Sequence, residues 1–367
     1  MSKLQTFAED RAEIMAQEGG VTRRGLLGGA AAIGLAGGLA GGFSGPASAQ
    51  VKEVVLANFG GDAVKAMNEA FAVPYEKKTG GKLTIDGSGP SNGKIKTMVQ
   101  AKNVTWDLVD SGLGGLGELA PIGMLEEIDY SIVDRKKVVD GFAYKHGICN
   151  YMFSTVMAWD TGKVKEKPTL ADFFDFKKYP GKRLLRKDSQ AMIEMALLAD
   201  GVPIDKLYPL DMARAMKKIS AIKKDILFWG SGAESQSMLR DGEVVMGWLW
   251  NTRANLLKRD TKGKINFAFD GGVLQPGLWI VPKGNPAGKQ AMVAIASMQD
   301  PEGQVKLLGA LGNGPANPAA VSLVPAELKD VDPASPANVA VQVKMNAEWY
   351  EKNYAKTRQD YLDMIAS

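Results

Sequence analysis

Histidine and cysteine are nearly missing from this chain: His146 and Cys149 are the only ones in 367 residues. One cysteine cannot form an internal disulfide, and one of each cannot make a Cys/His set for zinc. Any Ser-His or Cys-His nucleophilic couple would have to be built on His146 itself. The segment 144–150 that carries both reads as a strand or turn between apolar stretches. Free cysteine is usually buried, so Cys149 is read as a small hydrophobe and His146 as a structural or surface residue. Metal-dependent and histidine-dependent catalysis are thereby disfavoured, and no cofactor is expected. A surplus of charge is also missing. The 45 basic and 41 acidic residues leave a formal net charge of +4, spread rather than massed in blocks, which argues against a nucleic-acid partner.

Long apolar runs are absent beyond the first fifty residues, and those fifty read as an address. A polar segment ends in Thr22-Arg23-Arg24-Gly25-Leu26-Leu27, a Gly/Ala-rich apolar stretch runs to about Phe43, and Ala47-Ser48-Ala49 follows. A charged start, an apolar middle and an A-x-A site make a secretory signal peptide. The paired arginines with two leucines behind them resemble the twin-arginine export signal. The stretch is short and glycine-rich for a spanning helix and ends in a cleavage site. Cleavage after Ala49 with no cysteine following predicts a soluble, periplasmic mature chain rather than a lipoprotein or a membrane-inserted one.

What remains is long enough for two lobes, with hydrophobic residues at 45% and charged residues at 23%. A strand-like run at 54–59 breaks at Gly60-Gly61-Asp62. A helix pattern with Met67, Phe71 and Tyr75 on one face follows over 63–78. Strand 82–86, helix 93–101 and strand 106–110 come next. Strands alternating with helices predict a mostly parallel sheet covered on both faces. Ligands bind beyond the carboxyl ends of such strands, which puts Asn58, Phe59, Gly60, Gly61, Ser88 and Ser111 along one rim. The glycine-rich turns do not fit the dinucleotide pattern G-x-G-x-x-G. The rhythm restarts near Trp159, with strands at 181–185, 226–229 and 244–250. Helices are predicted over 190–198, 210–224, 235–241 and from Asn251, and a strand over 278–282 returns to the first lobe. Helices over 289–298 and near 338–365 complete the pattern. Trp229, Trp248 and Trp279 are assigned to the core.

The ordered phrases Phe71-Ala72-Val73-Pro74-Tyr75-Glu76-Lys77-Lys78-Thr79-Gly80, Trp106-Asp107-Leu108-Val109, Gly123-Met124-Leu125-Glu126-Glu127-Ile128-Asp129, Gly242-Glu243-Val244, Leu278-Trp279-Ile280-Val281-Pro282 and Asn313-Gly314-Pro315-Ala316-Asn317-Pro318 resemble the extracellular solute-binding proteins related to the spermidine/putrescine-binding family. The resemblance covers nearly all of the mature chain. It implies an α/β, two-lobe type II periplasmic-binding fold with the ligand in the inter-lobe cleft, and a monomer that serves the permease subunits of an inner-membrane ABC importer. The expected division is a signal peptide over 1–49, lobe 1 over 50–157 and 279–337, lobe 2 over 158–278, and a terminal helical segment over 338–367. The same architecture carries some enzymes, so an exported enzyme is the remote alternative.

Polyamine binders of the family hold ammonium groups with carboxylates and aromatic walls. Carried onto this chain, their first acid falls on Asp188, beside Ser189, and their second on Ala191, which is not acidic. Their tryptophan and aspartate fall on Gln275 and Gly277, while the aromatic Trp250 is kept. Three positions on stands Arg253, a fixed fork suited to a carboxylate. Ferric binders of this fold use adjacent tyrosines, and no two tyrosines are adjacent here. The expected ligand is therefore a carboxylate-bearing organic acid or amino acid, with a polyamine in a rearranged site as the alternative. Asp188 and Arg253 also admit bland readings, a helix cap and a surface salt bridge.

Overall fold

The computed structural model describes residues 53–367; the leader and its cleavage site lie outside them. β1 (Val54–Ala57) leads into α1 (Asp62–Met67), one π-helical turn (Asn68–Ala72) and α2 (Val73–Thr79). The π turn sits where Pro74 would otherwise press its ring on the carbonyl of Ala70, and the wider turn relieves that clash. β2 (Leu83–Asp86), α3 (Asn92–Gln100), β3 (Leu108–Ser111) and α4 (Leu113–Leu119) follow, then β4 (Ala143–Tyr144) and the 14-residue β5 (Gly147–Asp160). The pattern repeats as β6 (Arg183–Arg186), α5 (Met192–Ala199), α6 (Met212–Ser220), β7 (Ile226–Trp229), α7 (Gly232–Arg240), β8 (Met246–Trp250) and α8 (Asn251–Asp260). The 16-residue β9 (Ile265–Ile280), α9 (Lys289–Met298), α10 (Pro301–Leu311), β10 (Gly314–Pro315), α11 (Pro336–Val339), β11 (Val343–Lys344) and α12 (Ala347–Ala366) complete the described chain.

The main sheet runs β2-β1-β3-β9-β5-β8-β6-β7. Its outer strands are parallel in each half, β2-β1-β3 on one side and β8-β6-β7 on the other. Each half has three parallel strands joined by helices, with two helices between β6 and β7 in the second half, and its first strand in the middle. Between them lie β5 and β9, antiparallel to each other over nearly their whole length and shared by both halves. Leu56, Leu108, Ile148 and Ile280 fill one part of the core, and Val156, Leu184, Trp229 and Leu249 another.

β5 runs through position 157, with a register shift against β9 between Thr155 and Met157. One expectation changes here. The strand expected to begin at 278 begins at Ile265 and carries Gly271, Gly272, Pro276 and Gly277 inside it. Gly272 and Gly277 are there because the neighbours are close. A Cβ on Gly277 would lie 2.2 Å from the Tyr151 ring, and one on Gly272 would lie 3.0 Å from the Thr155 carbonyl.

The terminal helix α12 packs against α4 of the first half and α6 of the second. Tyr350, Tyr354 and Tyr361 on its buried face donate to Glu194 Oε1, Asp188 Oδ2 and the Arg186 carbonyl at 2.7, 2.8 and 2.9 Å. Cys149 is buried and His146 half-buried, with its Nδ1 3.1 Å from the Glu126 carbonyl. Among the described residues no helix is long and apolar enough to cross a membrane.

Candidate ligand-binding site

The carboxyl ends of β1, β2 and β3 face those of β6, β7 and β8 across a cavity of about 660 Å³, a size suited to a small solute. From the first half come Asn58, Phe59, Ser88 and Ser111, together with Asp110, and β5 adds Tyr151 and Phe153. The second half supplies Arg186, Asp188, Trp229, Trp250 and Arg253, and α12 contributes Tyr354 and Arg358.

Arg253 is the most constrained of these. It lies in the first turn of α8 with 3% of its surface exposed, and its Nη2 donates to the Gly60 carbonyl of the other half at 3.1 Å. Desolvation lowers its guanidinium below the ordinary range, and Asp62 only partly opposes this. Among the described residues no carboxylate oxygen lies within 4.0 Å of it, although such a partner is the usual requirement for a buried charge. Its place at a helix amino end, whose dipole disfavours a cation, adds to the cost. That end of α8 also has no side-chain cap, whereas α7 is closed by a full capping box of Ser231 and Glu234. Two glycines leave the fork its room: a Cβ on Gly232 would meet Arg253 Nε at 2.5 Å, and one on Gly61 would meet Nη1 at 3.2 Å.

Arg186, at the end of β6, is half-buried and also without a carboxylate partner among the described residues. Its guanidinium carbon lies 5.0 Å from the Trp250 ring centroid and 5.6 Å from that of Trp229. Trp250 meets Phe59, Trp229 and Phe153 edge-on at 5.2, 5.1 and 6.4 Å, and Tyr151 continues the row 6.2 Å beyond Phe153. Trp229 is both core and cavity wall, its indole donating to the Trp248 carbonyl at 3.0 Å.

Seven of the residues picked from sequence line the cavity: Asn58, Phe59, Ser88, Ser111, Asp188, Trp250 and Arg253. Gly60 and Gly61 stand just behind it, at φ of 77° and 63°. They turn the chain so that the Gly60 carbonyl meets Arg253 and the Gly60 amide meets Asn58 Oδ1. Ser189 is buried behind the wall. Gln275 is a correction: lying mid-strand in β9, it accepts from Gln190 Nε2 at 2.8 Å and donates to Thr155 Oγ1 at 2.9 Å, away from the cavity. Asp188 touches the cavity but is engaged. Its Oδ2 accepts from Tyr354 Oη at 2.8 Å and from Arg358 Nε at 3.2 Å, while Oδ1 accepts the Gln190 amide at 3.0 Å. Sequence reasoning missed Arg186, Asp110, Phe153, Tyr354 and Arg358. Arg186 and Asp110 stand at strand ends, the signal that identified Asn58 and Ser111.

Two half-sheets joined by long shared strands, with a polar and aromatic cavity between their carboxyl edges, define a binding protein of the two-lobed periplasmic type. The family model of the bacterial extracellular solute-binding proteins matches residues 70–337, and the chain belongs to that family. It is the substrate-binding component of an ABC importer and takes a small polar solute. A gamma-aminobutyric acid-binding protein of Pseudomonas aeruginosa is 31% identical over 315 residues, covering 84% of this chain and 89% of that one. A solved periplasmic binding protein of A. tumefaciens R10 in complex with agropinic acid is 30% identical, with a TM-score of 0.81 over 86% of this chain and 99% of that one. A spermidine/putrescine-binding protein of Streptococcus pneumoniae shares the fold at 16% identity, with a TM-score of 0.65 over 86% of this chain and 99% of that one.

Proposed function

We propose that this chain captures a small carboxylate-bearing metabolite, an amino acid or organic acid, in the periplasm and hands it to a membrane permease. The observation that carries this reading is Arg253, a desolvated guanidinium at an uncapped helix amino end with no carboxylate within 4.0 Å among the described residues. A ligand carboxylate would supply the missing charge and take a forked pair of hydrogen bonds. Arg186 beside Trp250 adds a second cation on the same side. The alternative, a dicationic polyamine, would need free acids where Arg186 and Arg253 stand and Asp188 is engaged. The names of the two nearer relatives reported above, for gamma-aminobutyric and agropinic acids, support the carboxylate.

The protein acts by binding rather than turnover, since its one histidine and one cysteine both lie off the cavity wall. It is exported through the twin-arginine-like leader, released after Ala49, and works as a soluble monomer. The division into lobes over 50–157 with 279–337 and over 158–278 becomes, on this reading, a hinge in the middle of β5 and β9 with closure around the ligand.

A thermal-shift screen over carboxylic and amino acids finds the ligand by the rise in melting temperature. Calorimetry on Arg253→Ala then tests the site. Removing one partner of a buried charge pair costs about 2–5 kcal/mol, or roughly 30- to several-thousand-fold in affinity. Arg253→Lys recovers little of that loss, because a point charge cannot reproduce the fork. Unchanged affinity in folded Arg253→Ala, or a polyamine as the tightest ligand, refutes the carboxylate reading.

A further inference from the structure

A second buried charge lies across the cavity from these arginines in the network of contacts. Asp110, the next-to-last residue of β3, has 1% of its surface exposed, yet it borders the cavity. Its Oδ1 accepts from Tyr151 Oη at 2.6 Å and its Oδ2 from Asn58 Nδ2 at 2.9 Å. Both donors are neutral. Among the described residues no lysine or arginine nitrogen comes within 4.0 Å, so this carboxylate, like Arg253, is buried without its counter-charge.

The two unpaired charges are separated in a defined way. Asn58 holds Asp110 through Nδ2 and the Gly60 amide through Oδ1, and the Gly60 carbonyl holds Arg253. The span from carboxylate to guanidinium is thus a side-chain amide and a peptide unit. Over the same span the wall is aromatic, running from Tyr151 through Phe153 to Trp250, where Arg186 stands. We propose that Asp110, with Tyr151 and Asn58 orienting it, seats a ligand ammonium group, so that the chain is selective for amino acids whose amine and carboxylate lie several carbons apart. This rests on the carboxylate reading for Arg253. The main-chain amine and carboxylate of an α-amino acid are attached to the same carbon and stand too close to satisfy both poles. An apolar linker of a few methylenes would lie along the aromatic row, and a cation close to Tyr151 gains from the ring face as well.

Proton competition follows from the same geometry. Burial pushes the Asp110 carboxyl up to about 7, although Tyr151 and Asn58 both pull it down. The titratable groups facing it are Tyr151 and, behind that ring on β5, Cys149. Burial raises both, so both stay neutral. On β9 its register partner is Trp279, and Gly277 lies under the Tyr151 ring. An ammonium group binds the ionised carboxylate, so a proton on Asp110 competes with it.

The test compares 4-aminobutanoate and 5-aminopentanoate with butanoate and pentanoate on the purified chain by calorimetry. The amino compounds should bind at least about 30-fold tighter than their deaminated counterparts, the lower bound for a buried charge pair. Asp110→Asn keeps the side-chain shape, and in it the preference for the amino compounds over their deaminated counterparts should vanish, whatever the substitution does to the affinity of both series together. Arg253→Ala should weaken both series together, so failure of the carboxylate reading shows separately. On the unmodified protein, affinity for 4-aminobutanoate should fall about tenfold per pH unit below about 7, and binding should release protons in paired buffers. That measurement decides the matter even if Asp110→Asn does not fold. Equal binding of the two series, a preference that survives in Asp110→Asn, or no binding of either amino compound overturns the proposal.

Discussion

A carboxylate kept for a ligand should destabilise the empty protein, and Asp110 allows the cost to be worked out. Its carboxyl titrates at 3.8 in an unperturbed setting and at about 7 in the fold. The folded state therefore holds this proton more tightly than the unfolded chain does. Stability from this group is fullest below 3.8 and is lost as pH rises toward 7. At 1.36 kcal/mol per unit, the whole loss is about 4 kcal/mol, of which about 2.6 falls between pH 5 and pH 8. Asp110→Asn does not titrate. It carries a constant penalty instead: with its oxygen turned to accept from Asn58 Nδ2, its amide nitrogen can donate to Tyr151 Oη, but the Tyr151 hydroxyl proton then loses its acceptor. Leaving such a donor unmet in the interior costs about 1–3 kcal/mol at any pH. By pH 5 the parent has already lost about 1.7 kcal/mol, so the variant should lie within about 1.5 kcal/mol of it there and should be the more stable of the two by pH 8. The gap between the two proteins should move by about 2.6 kcal/mol over that range. Urea unfolding of both at the two pH values measures this, after one cycle of unfolding and refolding to strip carried-over ligand. Other titrating groups are common to both proteins and cancel. A gap equal at pH 5 and pH 8 would mean that Asp110 is not the desolvated acid described here.

The contact between α4 and α12 gives another expectation. A Cβ at Gly114 would lie 2.6 Å from the Tyr354 ring, whose hydroxyl is tied to Asp188. Gly114→Ala should thus lose about 1–3 kcal/mol by overpacking, despite the gain of up to about 1 kcal/mol that alanine normally brings to a helix; a more stable variant in thermal unfolding would contradict this packing. At the other end of the chain, Arg23→Lys with Arg24→Lys should leave the precursor in the cytoplasm, and normal accumulation of the mature form in a cell-fractionation assay would remove the twin-arginine assignment while leaving secretion intact.

Legibility in the sequence followed the range of the interactions. Helix and strand patterns over 63–78, 82–86 and 289–298 are local, and the elements stand within one or two residues of the expected bounds. The rule that ligands sit at carboxyl strand ends is nearly local too, and it brought Asn58, Ser88 and Ser111 to the cavity. It failed where pairing is long-range. β9 could not be read through Gly271, Gly272 and Pro276, because its glycines answer to Thr155 and Tyr151 on a strand more than a hundred residues away. Gln275 was misplaced for the same reason: once β9 extends back to Ile265, that residue becomes a buried link to Thr155 and Gln190.

Asp110 and Arg253 illustrate the limit more sharply. Each belongs to a common kind of sequence position, an acid near the end of a strand and an arginine opening a helix, and most such residues are solvated or paired. What sets these two apart is an absence of counter-charge that only the packed structure reveals. Arg253 was singled out as a fork three positions beyond the retained aromatic Trp250, whereas Asp110 had no such pointer. The two are linked through Asn58 and Gly60, so neither charge is placed independently of the other. A glycine with φ near 77° is what lets one peptide group serve Asn58 with its amide and Arg253 with its carbonyl. A Cβ at Gly60 would also lie 2.6 Å from the Gly87 carbonyl, so a side chain there would displace the carbonyl that holds the guanidinium while leaving every charged group in the cavity unaltered. The spacing between the poles is thus set by backbone conformation, and the side chains that read the ligand depend on a residue that does not itself line the cavity.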